Sequence, residues 1–387
     1  MSYEGKLARA AEQLWLNSDS QGAAFPLVEL AIAALYQIFG QIQPWLTRFP
    51  GAFVAALSVS LLYSIGREIF PRPQQAVASS LVYLTLLPVL CYGRLANGDG
   101  AVLFFWLGLI WCVLRSRRNL GYCLGIGFGI NLLTLLKGWP GLVWGLVPLI
   151  FLILNTPRLF TSLYFWSGLG LGIAPTLFWY ASQIANFSNT LVSFQPNPTS
   201  EWLWLELWRY GLPWLLFFPN ALAWAWQHRH WSWGGLILTS CLAGLACALI
   251  APMTTWLWLP LAPMFALAVG IYLEETMYRP QNYPGFWSWG LGVLTLAGLG
   301  LSLHLLTSGW GGPLLLATIL AAAITALTSA VLATRRNWQF LVVLVWGSYV
   351  SLVLLLATPL WGLDPRMNIE PKFLDTRIPN PQIVVGL

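Results

Sequence analysis

The sequence predicts an all-α fold, a polytopic transmembrane helical bundle of about 12 spans, and three observations carry that prediction. Of 387 residues, 58% are hydrophobic and 8% charged, where a soluble domain carries about a quarter charged residues. The mean hydropathy is +0.68, and the 24 tryptophans are a payload suited to a membrane boundary. The apolar residues also fall in runs of 16 to 21 residues between short polar turns, about the length a helix needs to cross hydrocarbon.

In chain order, Tyr3 to Trp15 reads as a short helix carrying Glu4, Lys6, Arg9 and Glu12 among alanines and leucines. A polar break follows from Asn17 to Gly22. FPLVELAIAALYQIFG comes next, about one turn short of a comfortable span and carrying Glu29. It is expected along the interface or buried between helices. The spans are then 49–69, 76–92, 99–114, 120–136, 140–155, 162–182, 211–226, 235–251, 256–273, 286–306, 313–333 and 339–358. They divide the chain into a juxtamembrane region of the outer face (1–48), the transmembrane helical domain (49–358) and a tail (359–387). The loop 183–210 is the other sizeable soluble part.

Charge orients this arrangement. Alternate loops hold Arg67, Arg72, Arg115, Arg117, Arg118, Arg158, Arg229, Arg279, Arg335 and Arg336 against three acids, Glu68, Glu274 and Glu275. The opposite short loops hold Arg48, Arg94, Lys137 and Arg209. The arginine-rich set belongs in the cytoplasm, which puts 1–48 and 359–387 outside. A translocated start needs a helix before it, so a first helix upstream of Met1 is expected to be missing; a strained crossing by 25–39 is the alternative. The net charge of +6 calls for no nucleic-acid partner, because the excess lies in these loops.

The stretch from Gly93 to Gly138 concentrates the polar chemistry. It begins GRLANGDG, passes through an apolar helix to the basic turn RSRR, and returns through a second helix to LLKG. Two antiparallel runs of about 16 residues, about 24 Å each, cancel in direction. Arg94, Asn97 and Asp99 therefore share a water–lipid boundary with Lys137. Asp99 is either a helix N-cap or part of that cluster, and Lys137 either snorkels to headgroups or binds substrate. Arg48 and Arg94 pair with acids, with lipid phosphate or with a ligand. Glu29 lies among apolar neighbours with no role assigned. Glu201 and Glu206 sit with Trp202, Trp204 and Trp208, an interfacial belt or a sugar-stacking surface. His228 and His230 read as solvated and His304 as packed. Cys91, Cys112, Cys123, Cys241 and Cys247 read as packing residues. No His, Cys or acid spacing marks a metal site, and a divalent cation stays open as a cofactor.

Several pieces, in order, resemble the lipid-linked-sugar glycosyltransferases of the type C fold, in particular family 39, the protein O-mannosyltransferases and aminoarabinose transferases. They are YEGKLARAAEQLW, GAAFPLVELAIAALYQIFG, TRFPGAFVAALSVSLLYSIGREIF, GRLANGDGAVLFFW, LLTLLKGWPGLV, GLPWLLFFPNAL and TTWLWLPLAPMFALAVG. The likeness covers roughly residues 3 to 275. It implies a multi-pass enzyme of the cell membrane with an extracytoplasmic active face. The donor would be a polyprenyl-phosphate-linked sugar, the acceptor a hydroxyl of a protein, lipid or glycan, and membrane lipids its surroundings. It implies Glu4 and Asp99 as catalytic residues and Arg48, Arg94, Lys137, Trp256 and Trp258 as substrate-binding ones.

The departures are local. Tyr3 stands where the family has the Asp of an Asp–Glu pair, leaving Glu4. Ala23-Ala24-Phe25 stands where the family often has the Lys before its double proline, and Thr254 to Trp258 replaces a cation-x-x-Tyr piece. Two other classes remain open: a transporter or lipid flippase, and an inactive, truncated relative. Nearly charge-free mid-spans and the lack of repeats speak against transport.

Overall fold

The computed structural model describes residues 11–12, 27–94, 98–182, 211–250, 258–279, 283–308 and 312–358, and every regular element among them is helical. The α-helices are α1 (Leu27–Phe39), α2 (Pro44–Ile69), α3 (Pro73–Leu84), α4 (Leu87–Arg94), α5 (Asp99–Ser116), α6 (Tyr122–Lys137) and α7 (Trp139–Asn155). Then come α8 (Leu163–Ser182), α9 (Phe218–Gln227), α10 (Ser232–Ile250), α11 (Trp258–Met277), α12 (Gly285–Ser308), α13 (Pro313–Thr334) and α14 (Gln339–Ala357). Proline occupies the first turn of α2, α3, α7, α9 and α13, where its missing N–H costs no helical bond. Among the described residues, five helices (α2, α5, α12, α13 and α14) are long and apolar enough to cross a bilayer. Of the N-terminal helix expected at 3–15, only Ala11 and Glu12 are described, and both are helical. The 183–210 loop with its tryptophans and the 359–387 tail lie outside the described residues.

Two expected spans are broken, and proline breaks both. The run 76–92 is α3 and α4, separated at Thr85 and Leu86. Pro88 has no N–H for the Leu84 carbonyl, and its ring crowds that carbonyl, so the helix cannot run through. The Trp214 Nε1 donates to Thr85 Oγ1 across 2.9 Å, fastening the break. The run 211–226 is interrupted by a 3₁₀ turn, Trp214–Leu216, before α9 starts at Phe218 with Pro219 in its first turn.

Helix α5 is the axis of the bundle: 61% of its apolar window is buried, against 22–33% for the other four long helices. Val102, Leu103, Trp106, Ile110 and Val113 anchor the core, and the Trp106 indole donates to the Trp144 carbonyl. Helices α2, α6, α7 and α11 surround it. In the α6–α8 contact the Thr176 hydroxyl bonds the Asn131 amide oxygen. Helices α12, α13 and α14 pack chiefly on one another and expose Trp289, Leu296, Ile324 and Trp346, a face suited to lipid.

The loops expected inside meet at one end of the bundle. Glu68 pairs with Arg115 at 3.3 Å and Arg118 at 3.0 Å. Arg72 pairs with Glu274 and Glu275, each at 3.4 Å, and Gln75 bonds Glu274 at 2.9 Å. Two histidine expectations fail here. His228 is half-buried among Trp224, Trp231 and Trp233, because the tight turn into α10 folds its ring against them. His304 is exposed on α12. Cys91 and Cys123 are buried and Cys112 and Cys241 half-buried, in the packing expected of them.

Candidate active site

The opposite end of the bundle holds the candidate site. Asp99 is the first residue of α5 and is 3% exposed. Lys137 is the last residue of α6, and its Nζ lies 2.6 Å from Asp99 Oδ1. The N-cap alternative for Asp99 is not realised: Gly98 holds that position, with no side-chain cap bond. Each charge sits where its helix favours it, the carboxylate at the positive N-terminus of α5 and the amine at the negative C-terminus of α6. Gly98 has φ +76° and Gly138 φ +65°, conformations in which other residues are strained. At Gly138 the N–H returns to the Thr134 carbonyl at 2.7 Å, and α7 starts with the next residue, so Lys137 stands at a corner. An ammonium has three N–H donors. One is directed at Asp99.

Helix α1 covers this corner. At 13 residues it is about 20 Å long, too short to cross, and it packs on α2 and α6. The Tyr36 hydroxyl and Thr47 Oγ1 lie 2.6 Å apart and fix the α1–α2 register. Burial raises the Tyr36 phenol above its ordinary range; the Thr47 hydrogen bond opposes this and the Glu12 charge adds to it. A Cβ on Gly98 would come within 3.0 Å of Val28 Cγ2, which places the first turn of α1 over the first turn of α5. Arg48, beside Thr47, is half-buried.

Of the predicted residues, then, the structure joins Asp99 to Lys137. Arg48 and Arg94 stand at the ends of α2 and α4 that face this end of the bundle, and Trp258 starts α11 there. The side chains of Arg94 and Trp258 are outside the description, as are Glu4, Asn97 and Trp256 altogether. A mainly apolar cavity of about 290 Å³ lies elsewhere, between α12–α14 and the α3–α4 break, lined by Thr85, Pro213, Thr318 and Ser348 among others. None of the predicted site residues lines it. The residue that sequence reasoning left without a role is Glu29. It shares the i, i+3, i+4, i+7 stripe with Ile32, Ala33 and Tyr36, all buried, and burial lifts its carboxyl above the ordinary glutamate range. That stripe was the signal that could have found it.

Comparison with solved structures supplies the frame for this geometry. ArnT from Cupriavidus metallidurans in the apo state superposes with a TM-score of 0.71 at 14% identity, over 91% of this chain and 71% of that one. The chain has the fold of ArnT. The undecaprenyl phosphate-bound ArnT structure gives 0.68 at 15% identity over the same shares. Residues 23–180 match the family profile of the dolichyl-phosphate-mannose-protein mannosyltransferases, a stretch that contains Glu29, Arg48, Arg94, Asp99 and Lys137. Two undecaprenyl phosphate-alpha-4-amino-4-deoxy-L-arabinose arabinosyl transferases of Pseudomonas fluorescens are each 26% identical. The first, from strain Pf-5, aligns over 253 residues, 58% of this chain and 41% of its own length. The second, from strain Pf0-1, aligns over 307 residues, 69% of this chain and 53% of its own length. The chain thus spans about half the length of the curated relatives it matches. The resemblance read from the sequence is borne out, as is the all-helical type C architecture.

Proposed function

We propose that this chain is an integral-membrane glycosyltransferase that moves a sugar from a polyprenyl-phosphate carrier to an acceptor hydroxyl at the extracytoplasmic face. The observation that carries the reading is the Asp99–Lys137 pair at the α5–α6 end. It lies inside the stretch matched by the mannosyltransferase family, on a fold like that of a protein solved with undecaprenyl phosphate. Transfer breaks the bond between the anomeric carbon and the phosphate oxygen while an acceptor oxygen bonds that carbon. Negative charge grows on the departing phosphate, and preorganised cations stabilise it. Lys137 gives it an N–H, and Asp99, paired to the same amine, holds that amine at the mouth of the corner. Arg48 and Arg94 add guanidinium charge suited to phosphate. Trp256 and Trp258 offer ring faces to the sugar or the prenyl chain, and Glu4 offers a hydrogen-bond acceptor to the sugar's hydroxyls. The arginine-rich loops at the far end support an outside location for this corner.

The test replaces Asp99→Asn and Lys137→Met in the full chain in lipid, with undecaprenyl-phosphate aminoarabinose and polyprenyl-phosphate mannose as donors. Release of polyprenyl phosphate should fall at least about 100-fold in each variant, with membrane insertion unchanged. Undiminished turnover in both would take the pair out of the site.

A further inference from the structure

We infer that Glu29 is the general base that accepts the acceptor's proton, an assignment that rests on the glycosyltransferase reading above. The reaction needs a carboxylate able to hold a proton near neutral pH. Among the described residues, the acids at the site end are Glu12, Glu29 and Asp99. Asp99 already directs an oxygen at Lys137, 2.6 Å away, so protonating it would break the pair that positions the amine. Glu29 carries no such duty. It stands on the buried stripe of α1 with Ile32, Ala33 and Tyr36. The next residue back, Val28, reaches the Gly98 turn that precedes Asp99.

The register of the helices brings it to the right level. Tyr36 meets Thr47 near the α1–α2 turn, and from there the two helices run back alongside each other. Two turns up α1 lies Glu29; one to two turns along α2 lie Gly51 and Ala55, and a Cβ on Gly100 would collide with the Gly51 carbonyl oxygen and come within 3.1 Å of the Ala55 Cβ. The first turns of α1 and α5 therefore share one stratum with this part of α2. Charged and titratable groups on the elements around Glu29 are Arg48 on α2, Asp99 on α5, Lys137 on α6, and Tyr36 on α1 itself. Burial raises the proton affinity of Glu29, the property a base needs and a surface acid lacks. In the step, the acceptor O–H proton passes to a Glu29 oxygen as the acceptor oxygen bonds the anomeric carbon. The electron pair of the broken carbon–oxygen bond leaves on the polyprenyl phosphate, and the proton is then released to water.

The assignment makes a paired prediction that a structural role would not. A carboxyl whose folded-state pKa is raised costs stability as pH rises from its ordinary value up to that raised pKa, because the unfolded chain gives up the proton first. Glu29→Gln should therefore raise Tm at neutral pH and leave it unchanged well below the ordinary glutamate range. The same variant should lose at least about 100-fold in kcat while binding undecaprenyl phosphate with unchanged Kd. Its kcat/KM should also lose the acidic limb that the wild type shows above the ordinary glutamate range, and Glu29→Asp should recover part of both. The assay uses the full chain in lipid with the two donors named above and a panel of lipid, glycan and serine-peptide acceptors. A Gln variant with wild-type kcat, or one that keeps the acidic limb, overturns the assignment and leaves the transferase reading standing. So does a Gln variant whose kcat falls only together with Tm and Kd. A wild type that transfers neither sugar overturns both.

Discussion

At the scale of single residues, the site is a small number of charges in an apolar chain, and their coupling is measurable. Asp99 and Lys137 are within ion-pair distance, so their replacements should not add. If each single variant loses about 100-fold, the double Asp99→Asn, Lys137→Met variant should lose little more, a coupling of about 1–3 kcal/mol in a double-mutant cycle on turnover. Strict additivity would mean that the two act separately. This pair was legible in the sequence because two runs of similar length, joined by a short turn, must return the chain to its starting depth. Glu29 was visible but not interpretable, because its meaning depends on which side of α1 is buried. That is set by Ala11, Leu46 and Tyr36 gathering into a small cluster of their own.

Backbone shape becomes testable at the scale of an element. Gly138 has φ +65° and ψ −139° at the exit from α6, a region that a side chain enters only at about 1–3 kcal/mol. Gly138→Ala should lower stability by about that amount in a denaturation series. Turnover should fall further than this, because the residue sets the direction of Lys137. At the α3–α4 break, Thr85→Val removes the acceptor of the buried Trp214 indole N–H, and leaving that donor unsatisfied should cost about 1–3 kcal/mol in the same series. Most other helix ends fell close to expectation, as in α8, Leu163–Ser182 against an expected 162–182, but α2 begins at Pro44 rather than 49 and α11 runs on to Met277 rather than 273. The two broken spans were not read, since hydrophobicity continues through Pro88 and Pro213 and only the hydrogen-bond pattern stops.

Across the whole molecule, polar chemistry is divided between two ends with an apolar interior between them. The far end is held by Glu68, Arg72, Arg115, Arg118, Glu274 and Glu275. The arginines of these pairs are 40–69% exposed, and screening by water leaves such pairs worth about 0.2–1 kcal/mol. Glu68→Gln should accordingly cost no more than that in a denaturation series and leave kcat within about two-fold, a control with the opposite outcome to Asp99→Asn. The grouping of these loops was legible from their arginines alone. Which helices lie at the centre was not, because α2, α5 and α12 have nearly the same hydropathy, 1.6, 1.5 and 1.6. Contacts made by sequence-distant neighbours decide that α5 is enclosed.

The closeness of Asp99 to Lys137 bears on what happens between turnovers. A solitary ammonium at the edge of hydrocarbon is costly to keep dry and draws in water or stray headgroups. Held beside its carboxylate, the ammonium belongs to a pair with no net charge, which draws bulk phospholipid less than a lone cation would. On the proposed function, an arriving carrier would have to outcompete that carboxylate, a bar that a phosphate met by several cations at once passes more readily than a loose, singly charged headgroup.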